Sequence, residues 1–169
     1  IDVGTGPNLF PLFAALPVAS RVTVCEYGDA NIAWMRKTLA AGELNPPWPH
    51  FWNIARETHG DSAAYISVPV RELAARTEVM QGSIFDLPER CWDAGTMFFC
   101  AESITAQQAE FERACAAYAR AVKHDGVLAA AFLAGSRGYT VGDIDFPAVS
   151  ITPDSLRAAF APHASDIAI

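Results

Sequence analysis

Asp2-Val3-Gly4-Thr5-Gly6-Pro7 and Glu26 are the residues whose types and spacing bear on chemistry. The first run reads as the end of a buried strand entering a glycine turn. The second residue closes the next strand-like run, Val22-Thr23-Val24-Cys25-Glu26. Glycines let the main chain approach a ligand closely, and a carboxylate at a strand tip accepts hydrogen bonds from ribose hydroxyls. Strand, glycine turn, helix, strand and acid is the order in which a doubly wound α/β domain holds a nucleoside.

The turn discriminates among nucleosides. The dinucleotide fingerprint G-x-G-x-x-G uses its third glycine for close helix–strand packing, and Leu9 stands at that position, with Pro7 inside the turn. An NAD-dependent oxidoreductase is thereby disfavoured. No G-x-x-x-x-G-K-[ST] run exists, which excludes a P-loop. His50, His59, His124 and His163 show no metal-ligand spacing, so no metal site is expected. Cys25, Cys91, Cys100 and Cys115 form no C-x-x-C pair and read as reduced, buried small hydrophobes. No Ser-His-Asp or Cys-His arrangement is evident.

Composition narrows the partners. A chain of 169 residues is long enough for one domain with a sizeable core. A formal net charge of −7, with the basic residues scattered, argues against a phosphate backbone as the partner. No apolar run reaches the ~18 residues of a membrane span. The expected partner is a small molecule, with neither nucleic acid nor membrane, and the chain is expected to be a monomer. Reduced cysteines predict a cytoplasmic location, and the excess of Arg over Lys with abundant Ala hints at a bacterial, GC-rich source. The chain opens inside a strand and closes on Ser165-Asp166-Ile167-Ala168-Ile169, which reads as another strand. The expectation is one domain over residues 1–169, incomplete at both ends.

The elements that must position the acid and the glycines follow from periodicity. Leu9, Leu12, Phe13 and Leu16 give the first helix its apolar stripe, with Asn8 as cap and Pro11 in its first turn. Ile32, Met35 and Leu39 do the same for a helix starting at Gly28 or Asp29 and stopping at Gly42. Three prolines in Glu43–Trp52 forbid a regular helix across that stretch, whose aromatics are either a loop packed on the core or part of a substrate wall. A short strand over Trp52–Ala55 is expected to follow. Pro69–Arg76 reads as a helix and Val79–Ser83 as strand and turn. Ala94–Cys100 reads as a strand covered on both faces, Thr105–Lys123 as the longest helix, stopped by Asp125-Gly126, and Val127–Leu133 as the next buried strand. Thr152-Pro153-Asp154 opens the last helix. Alternating strands and helices make the fold α/β with a mainly parallel sheet.

These residues resemble the class I S-adenosylmethionine-dependent methyltransferases, whose first motif is an acid, one residue and a glycine turn, as in Asp2-Val3-Gly4-Thr5-Gly6. Within that class the chain resembles the branch of nicotinamide and phenylethanolamine N-methyltransferases and thioether S-methyltransferase. Ile1-Asp2-Val3-Gly4-Thr5-Gly6-Pro7 is similar to its I-D-I-G-S-G-P, and Glu26-Tyr27-Gly28-Asp29-Ala30-Asn31 to its D-Y-S-D-x-N. Trp48-Pro49, Gly82-Ser83-Ile84 and the stretch from Gly135-Ser136 to Gly142 fall at similar spacing, so the likeness covers nearly the whole chain. The resemblance implies a Rossmann-like fold with a mainly parallel seven-stranded sheet, helices on both faces, and S-adenosylmethionine as cofactor, leaving S-adenosylhomocysteine as product. It implies that Asp2, Gly4, Thr5 and Gly6 form the turn on the methionine side, with Phe10 replacing a tyrosine there. Glu26 would hold the ribose diol, Tyr27 would pack on the adenine, and Asn31 would hydrogen-bond nearby. Ser83 and Ile84 would flank the adenine where the family has Asp-Val, and Phe98 and Cys100 would lie under the methyl donor. The glycines have a plainer reading as a tight turn, Tyr27 and Phe10 as core aromatics, and Asn31 as a surface helix residue.

Methyl transfer from a sulfonium needs alignment and desolvation rather than a protein nucleophile. No catalytic side chain is therefore assigned. On the acceptor side, Phe132 stands where a nicotinamide-binding aspartate is found, which disfavours nicotinamide. Ser136 matches a substrate-side serine. Phe132, Tyr139 and Phe146 suit an aromatic or apolar acceptor or are ordinary core residues. Glu102 is the best-placed acid for a cationic amine, with surface solvation as its plainer reading. The leading expectation is methyl transfer to nitrogen on a small molecule. The alternatives are a cofactor-binding regulatory protein without catalysis and an NAD-dependent oxidoreductase.

Overall fold

A computed structural model describes all 169 residues, except the side chains of Val141 and Ile144. The chain divides into two compact units, Ile1–Gly82 and Ser83–Ile169.

In the first unit β1 (Asp2–Val3), β2 (Val22–Glu26) and β3 (Thr77–Gln81) pair in parallel in the order β3-β2-β1. Val24 faces Asp2 on one side and Val79 on the other. Parallel strands need crossovers, and here they are helical. Helix α1 (Phe10–Ala15) joins β1 to β2. Helices α2 (Asp29–Ala40), α3 (Trp48–His59) and α4 (Pro69–Arg76) lie between β2 and β3. The stripes expected on α1 and α2 are buried, and Leu9, Leu12, Phe13 and Leu16 have no exposed surface. The N-cap of α1 is Leu9 rather than the expected Asn8, and it makes no side-chain cap bond; Asn8, one residue earlier, accepts at Oδ1 from Phe10 N at 2.8 Å.

The stretch rich in proline departs from expectation. No strand covers Trp52–Ala55; those residues belong to α3. Pro46 and Pro47 precede the helix and Pro49 lies in its first turn, where a missing N–H costs little. Its aromatics pack inward. Trp48 meets Phe13 and Trp34, with centroids 6.4 and 5.9 Å apart, and Trp52 lies 5.8 Å from Phe13. Buried aromatic area of this kind is a large share of a small core.

In the second unit β4 (Trp92–Phe98) and β5 (Val122–Ala131) pair in parallel. They are joined by α5 (Gln108–Ala121), which buries Phe111, Cys115 and Tyr118. Helix α5 ends two residues earlier than expected, and Asp125-Gly126 does not stop it. That pair sits inside β5, where the register shifts from Trp92↔Val122 to Ala94↔Val127. Asp125 takes φ +64° there, the backbone an irregular extra residue in a ladder demands. Neither strand is covered on both faces. Asp93 and Ala94 are exposed in β4, and Val127 is 67% exposed in β5, which ends at Ala131, two residues short of the expected Leu133.

Two further strands, β6 (Tyr139–Val141) and β7 (Ile144–Phe146), form a separate antiparallel hairpin. The expected seven strands are thus divided, five in parallel ladders and two in this hairpin. Helix α6 (Pro153–Phe160) opens with a capping box between Thr152 and Ser155. Its Phe160 meets Tyr118 and Phe132. Residues Ser165–Ile169 form no strand: among the described residues no ladder takes them, and Arg157 Nη1 donates to Ile167 O at 3.0 Å.

Candidate functional site

The glycine turn of the first unit is built around Glu26. Gly4 and Gly6 sit at φ +67° and +59°, conformations that favour glycine. Gly4 N donates to Cys25 O at 2.8 Å, which seats the turn on the tip of β2. Thr5 Oγ1 donates to Asp2 O at 3.2 Å and closes the turn on itself. Gly6 N donates to Glu26 Oε2 and Gly28 N to Glu26 Oε1, both at 2.8 Å. Gly82 N donates to the Glu26 main-chain oxygen at 3.0 Å.

One buried carboxylate therefore fastens the turn after β1 to the turn after β2. Bonds of this charge-assisted kind are the strong ones. Each Glu26 oxygen keeps further acceptor capacity, since an ionised carboxylate has about four lone-pair sites. A Cβ added at Gly6 would meet no atom within 4 Å, so open space lies beside the turn. At Gly28 it would lie 3.3 Å from Glu26 Oε1 and 3.5 Å from Asn31 Nδ2. Glu26 and Asn31 thus converge on that glycine. Tyr27 leaves 78% of its surface free beside them. Phe10 is 43% exposed and meets Phe51 edge-on at 6.0 Å. The donors, acceptors and open space present fit a nucleoside with free ribose hydroxyls. Gly28 and Gly82 were not among the residues expected here; the signal for Gly28 is its place two residues after the acid.

The second unit holds the other candidates. Ser83 caps a short 3-10 turn over Ile84–Asp86, its Oγ accepting from Phe85 N at 3.2 Å, and Ile84 is buried. Phe98 ends β4, and Cys100 follows half-buried. Between them Phe99 takes φ +57° and exposes half of its ring, a strained setting for an aromatic residue. Nothing in the sequence pattern marks that strain.

Glu102 is not a solvated surface acid. It has no exposed surface, and Oε1 accepts from Leu133 N at 3.0 Å. Burial pushes its pKa above the ordinary carboxyl value, and the Leu133 bond opposes that shift. Phe132 turns its ring to Phe111 and Phe160, at 6.0 and 6.2 Å, as a packing residue does. Ser136 Oγ accepts from Gly138 N at 3.4 Å. Tyr139 stacks on Phe146 at 4.9 Å, beside a groove of about 480 Å³ that also takes in Arg137 and Asp145. In the first unit a groove of about 340 Å³, lined by Trp52, Arg56 and Pro69 among others, does not include the glycine turn.

Cys25 and Cys115 supply no nucleophile. Burial, with Glu26 and Asp2 nearby, pushes the Cys25 thiol up to about 11. Burial, with Glu102 and Glu112 nearby, pushes Cys115 up to about 12. Both stay protonated and unreactive near neutral pH. Cys91 is exposed rather than buried. No group of acids, histidines and cysteines able to hold a metal exists among the described residues, and no helix there is long and apolar enough to cross a membrane.

Comparison with curated proteins gives no match. Among solved structures, the chain is similar to the sugar N-methyltransferase KedS8 from Streptoalloteichus sp ATCC 53650. The TM-score is 0.54 at 19% identity, covering 96% of this chain and 69% of that one. It is also similar to SAM-bound CalS10, an amino pentose methyltransferase from Micromonospora echinaspora. There the TM-score is 0.50 at 17% identity, covering 96% and 72%. The YcgJ protein from Bacillus subtilis gives a TM-score of 0.44 at 17% identity; 75% of this chain aligns, spanning 41% of that protein's length. The likenesses to KedS8 and CalS10 bear on the fold, which is α/β and Rossmann-like. The model of the NNMT/PNMT/TEMT family matches residues 1–169, and the chain belongs to that family of class I S-adenosylmethionine-dependent methyltransferases.

Proposed function

We propose that the chain binds S-adenosylmethionine at the Glu26 turn and transfers its methyl group to a nitrogen of a small molecule. The observation that carries this reading is the pair of 2.8 Å bonds from Gly6 and Gly28 to one buried carboxylate, with open space beside Gly6. When bound, the cofactor supplies a methyl group already activated on sulfur. The chain's own residues then bind and orient. Glu26 accepts from the ribose hydroxyls with the acceptor capacity its glycine bonds leave. Tyr27 offers an exposed face to the base, and Asn31 a side-chain amide. Gly4 and Gly6 keep the main chain low so that the methionine part can approach. The family resemblance also assigns Ser83, Ile84, Phe98 and Cys100 to the cofactor, and Ser136 and Tyr139 to the acceptor. No side chain needs to act as nucleophile, in keeping with the neutral thiols.

Nitrogen as the acceptor atom is supported by the family and by two proteins of this fold, one named a sugar N-methyltransferase and the other an amino pentose methyltransferase. Titration calorimetry with S-adenosylmethionine, S-adenosylhomocysteine and NAD tests the cofactor. Both sulfur nucleosides are expected to bind and NAD is not; binding of NAD alone would sink the reading. Methyl transfer to a panel of amino sugars, aromatic amines and thiols then tests the acceptor. Tight cofactor binding with no turnover on any of them favours a regulatory protein, a reading that Ser83 and Phe132 support by standing in for family aspartates.

A further inference from the structure

Residues 136–148 leave the second unit's sheet as an excursion that carries Ser136, the β6–β7 hairpin and the Tyr139–Phe146 stack. Both of its feet meet Glu102. At the leading foot Glu102 Oε1 accepts from Leu133 N at 3.0 Å. At the trailing foot the Glu102 main-chain oxygen accepts from Val149 N at 2.9 Å. The feet are also tied to each other, through the Ala134↔Ile151 bridge and Gly135 N donating to Ile151 O at 3.2 Å. Val149 and Ile151 are buried, and Glu102 has no exposed surface.

A fully buried carboxyl group is a costly way to hold one amide N–H. Among the described residues its second oxygen, Oε2, has no hydrogen-bond partner. A residue kept under that penalty must supply something the neighbourhood lacks. What Leu133 N lacks is another acceptor, since β5 ends at Ala131 and the ladder no longer serves it.

We propose that Glu102 is a positioning residue, whose side chain and main chain each hold one foot of the 136–148 excursion and so set where Ser136 and Tyr139 stand. The clamp uses the length and acceptor oxygen of the side chain, not its charge. Cys115 on α5 is the titratable group facing it, and that thiol is neutral. The clamp stands on geometry alone; its meaning for the acceptor side rests on the methyl-transfer reading.

The test compares Glu102→Met, Glu102→Asp and Glu102→Gln with the parent chain by hydrogen exchange and by trypsin cleavage after the exposed Arg137. Met fills the volume without an acceptor, Asp is too short to reach Leu133, and Gln keeps both length and an acceptor oxygen. Faster exchange at Leu133 and Val149 and at least tenfold faster cutting at Arg137 are expected for Met and Asp. Exchange within α2 of the first unit should be unchanged, and Gln should behave as the parent. Should Met fail to fold, the Asp and Gln pair decides. Unchanged exchange at both feet in Met or Asp overturns the proposal, and so does a Gln variant as loose as Asp. Calorimetry with S-adenosylhomocysteine on the parent chain tests cofactor binding separately. Parent chain that fails to bind it defeats the methyl-transfer reading and leaves the clamp standing.

Discussion

Glu26 and Glu102 are both buried acids that follow a parallel strand, one in each unit, and the fold treats them differently. Glu26 has an N–H bond on each oxygen, both from glycines of flanking turns. Glu102 has one such bond, from Leu133, and its second oxygen meets no protein donor. The first arrangement fixes both oxygens with main-chain donors and leaves spare acceptor capacity, which suits a ligand that donates hydroxyls. The second spends one acceptor on a main-chain N–H and raises the carboxyl pKa through burial, which suits a structural tie. Burial of an acid therefore says little about its role until its donors are counted.

The sharpest way to break this contrast is Glu26→Gln. An amide oxygen can accept from one glycine, but the amide nitrogen then faces the other N–H with no acceptor to offer. Losing charge-assisted bonds worth about 1.5–3 kcal/mol each should weaken S-adenosylhomocysteine binding about 100-fold, read by calorimetry. Affinity within threefold of the parent would mean that the carboxylate only closes the turn.

Glycine substitutions separate the two regions next. Gly126→Ala puts a Cβ 2.4 Å from Val122 Cγ1 and 2.7 Å from Asp93 O, inside the irregular β4–β5 ladder. Overpacking of that kind costs about 1–3 kcal/mol, visible as a lower urea midpoint. Gly6→Ala meets no atom, so it should cost only the backbone strain of φ +59°, about 1–2 kcal/mol. Its larger effect should fall on cofactor affinity, because the added methyl takes up the space beside the turn. Equal affinity in parent and Gly6→Ala would remove the cofactor from that space. Outside both regions, Thr152→Ala removes one half of the α6 capping box and should lower stability by about 1 kcal/mol in the same denaturation assay.

How much of this was legible in the sequence follows the range of the interaction. The glycine turn, Glu26 and the stripes of α1 and α2 are local patterns, and they read correctly as elements. Helix α3 was hidden because Pro46, Pro47 and Pro49 look like breakers, yet prolines before or in a first turn remove no helical bond. Asp125-Gly126 has the composition of a helix stop, but the register shift that uses it depends on β4, remote in sequence. Glu102 gave the least away. Nothing next to it in the chain announces Leu133 or Val149 as partners, so the prior for a solvated acid prevailed over a contact made only in the folded chain.

The smallest expected effect sets the two acids apart in solution. Burial holds the Glu102 pKa above the ordinary carboxyl value of 4.5. Well below 4.5 the group is protonated in folded and unfolded chains alike and contributes no pH dependence. As pH rises from there toward the raised folded value, the unfolded chain gives up its proton while the folded chain keeps it. The folded state then binds more protons, so stability falls with rising pH across that window and is level above it. Glu102→Gln cannot titrate. The stability of this variant relative to the parent should therefore climb from about pH 4.5 upward and then flatten, with contributions of the remaining carboxylates cancelling in the difference. Urea denaturation of both proteins through that range measures it. A flat difference would mean that water reaches the carboxylate, and an opposite slope would mean that donors hold Glu102 as an anion.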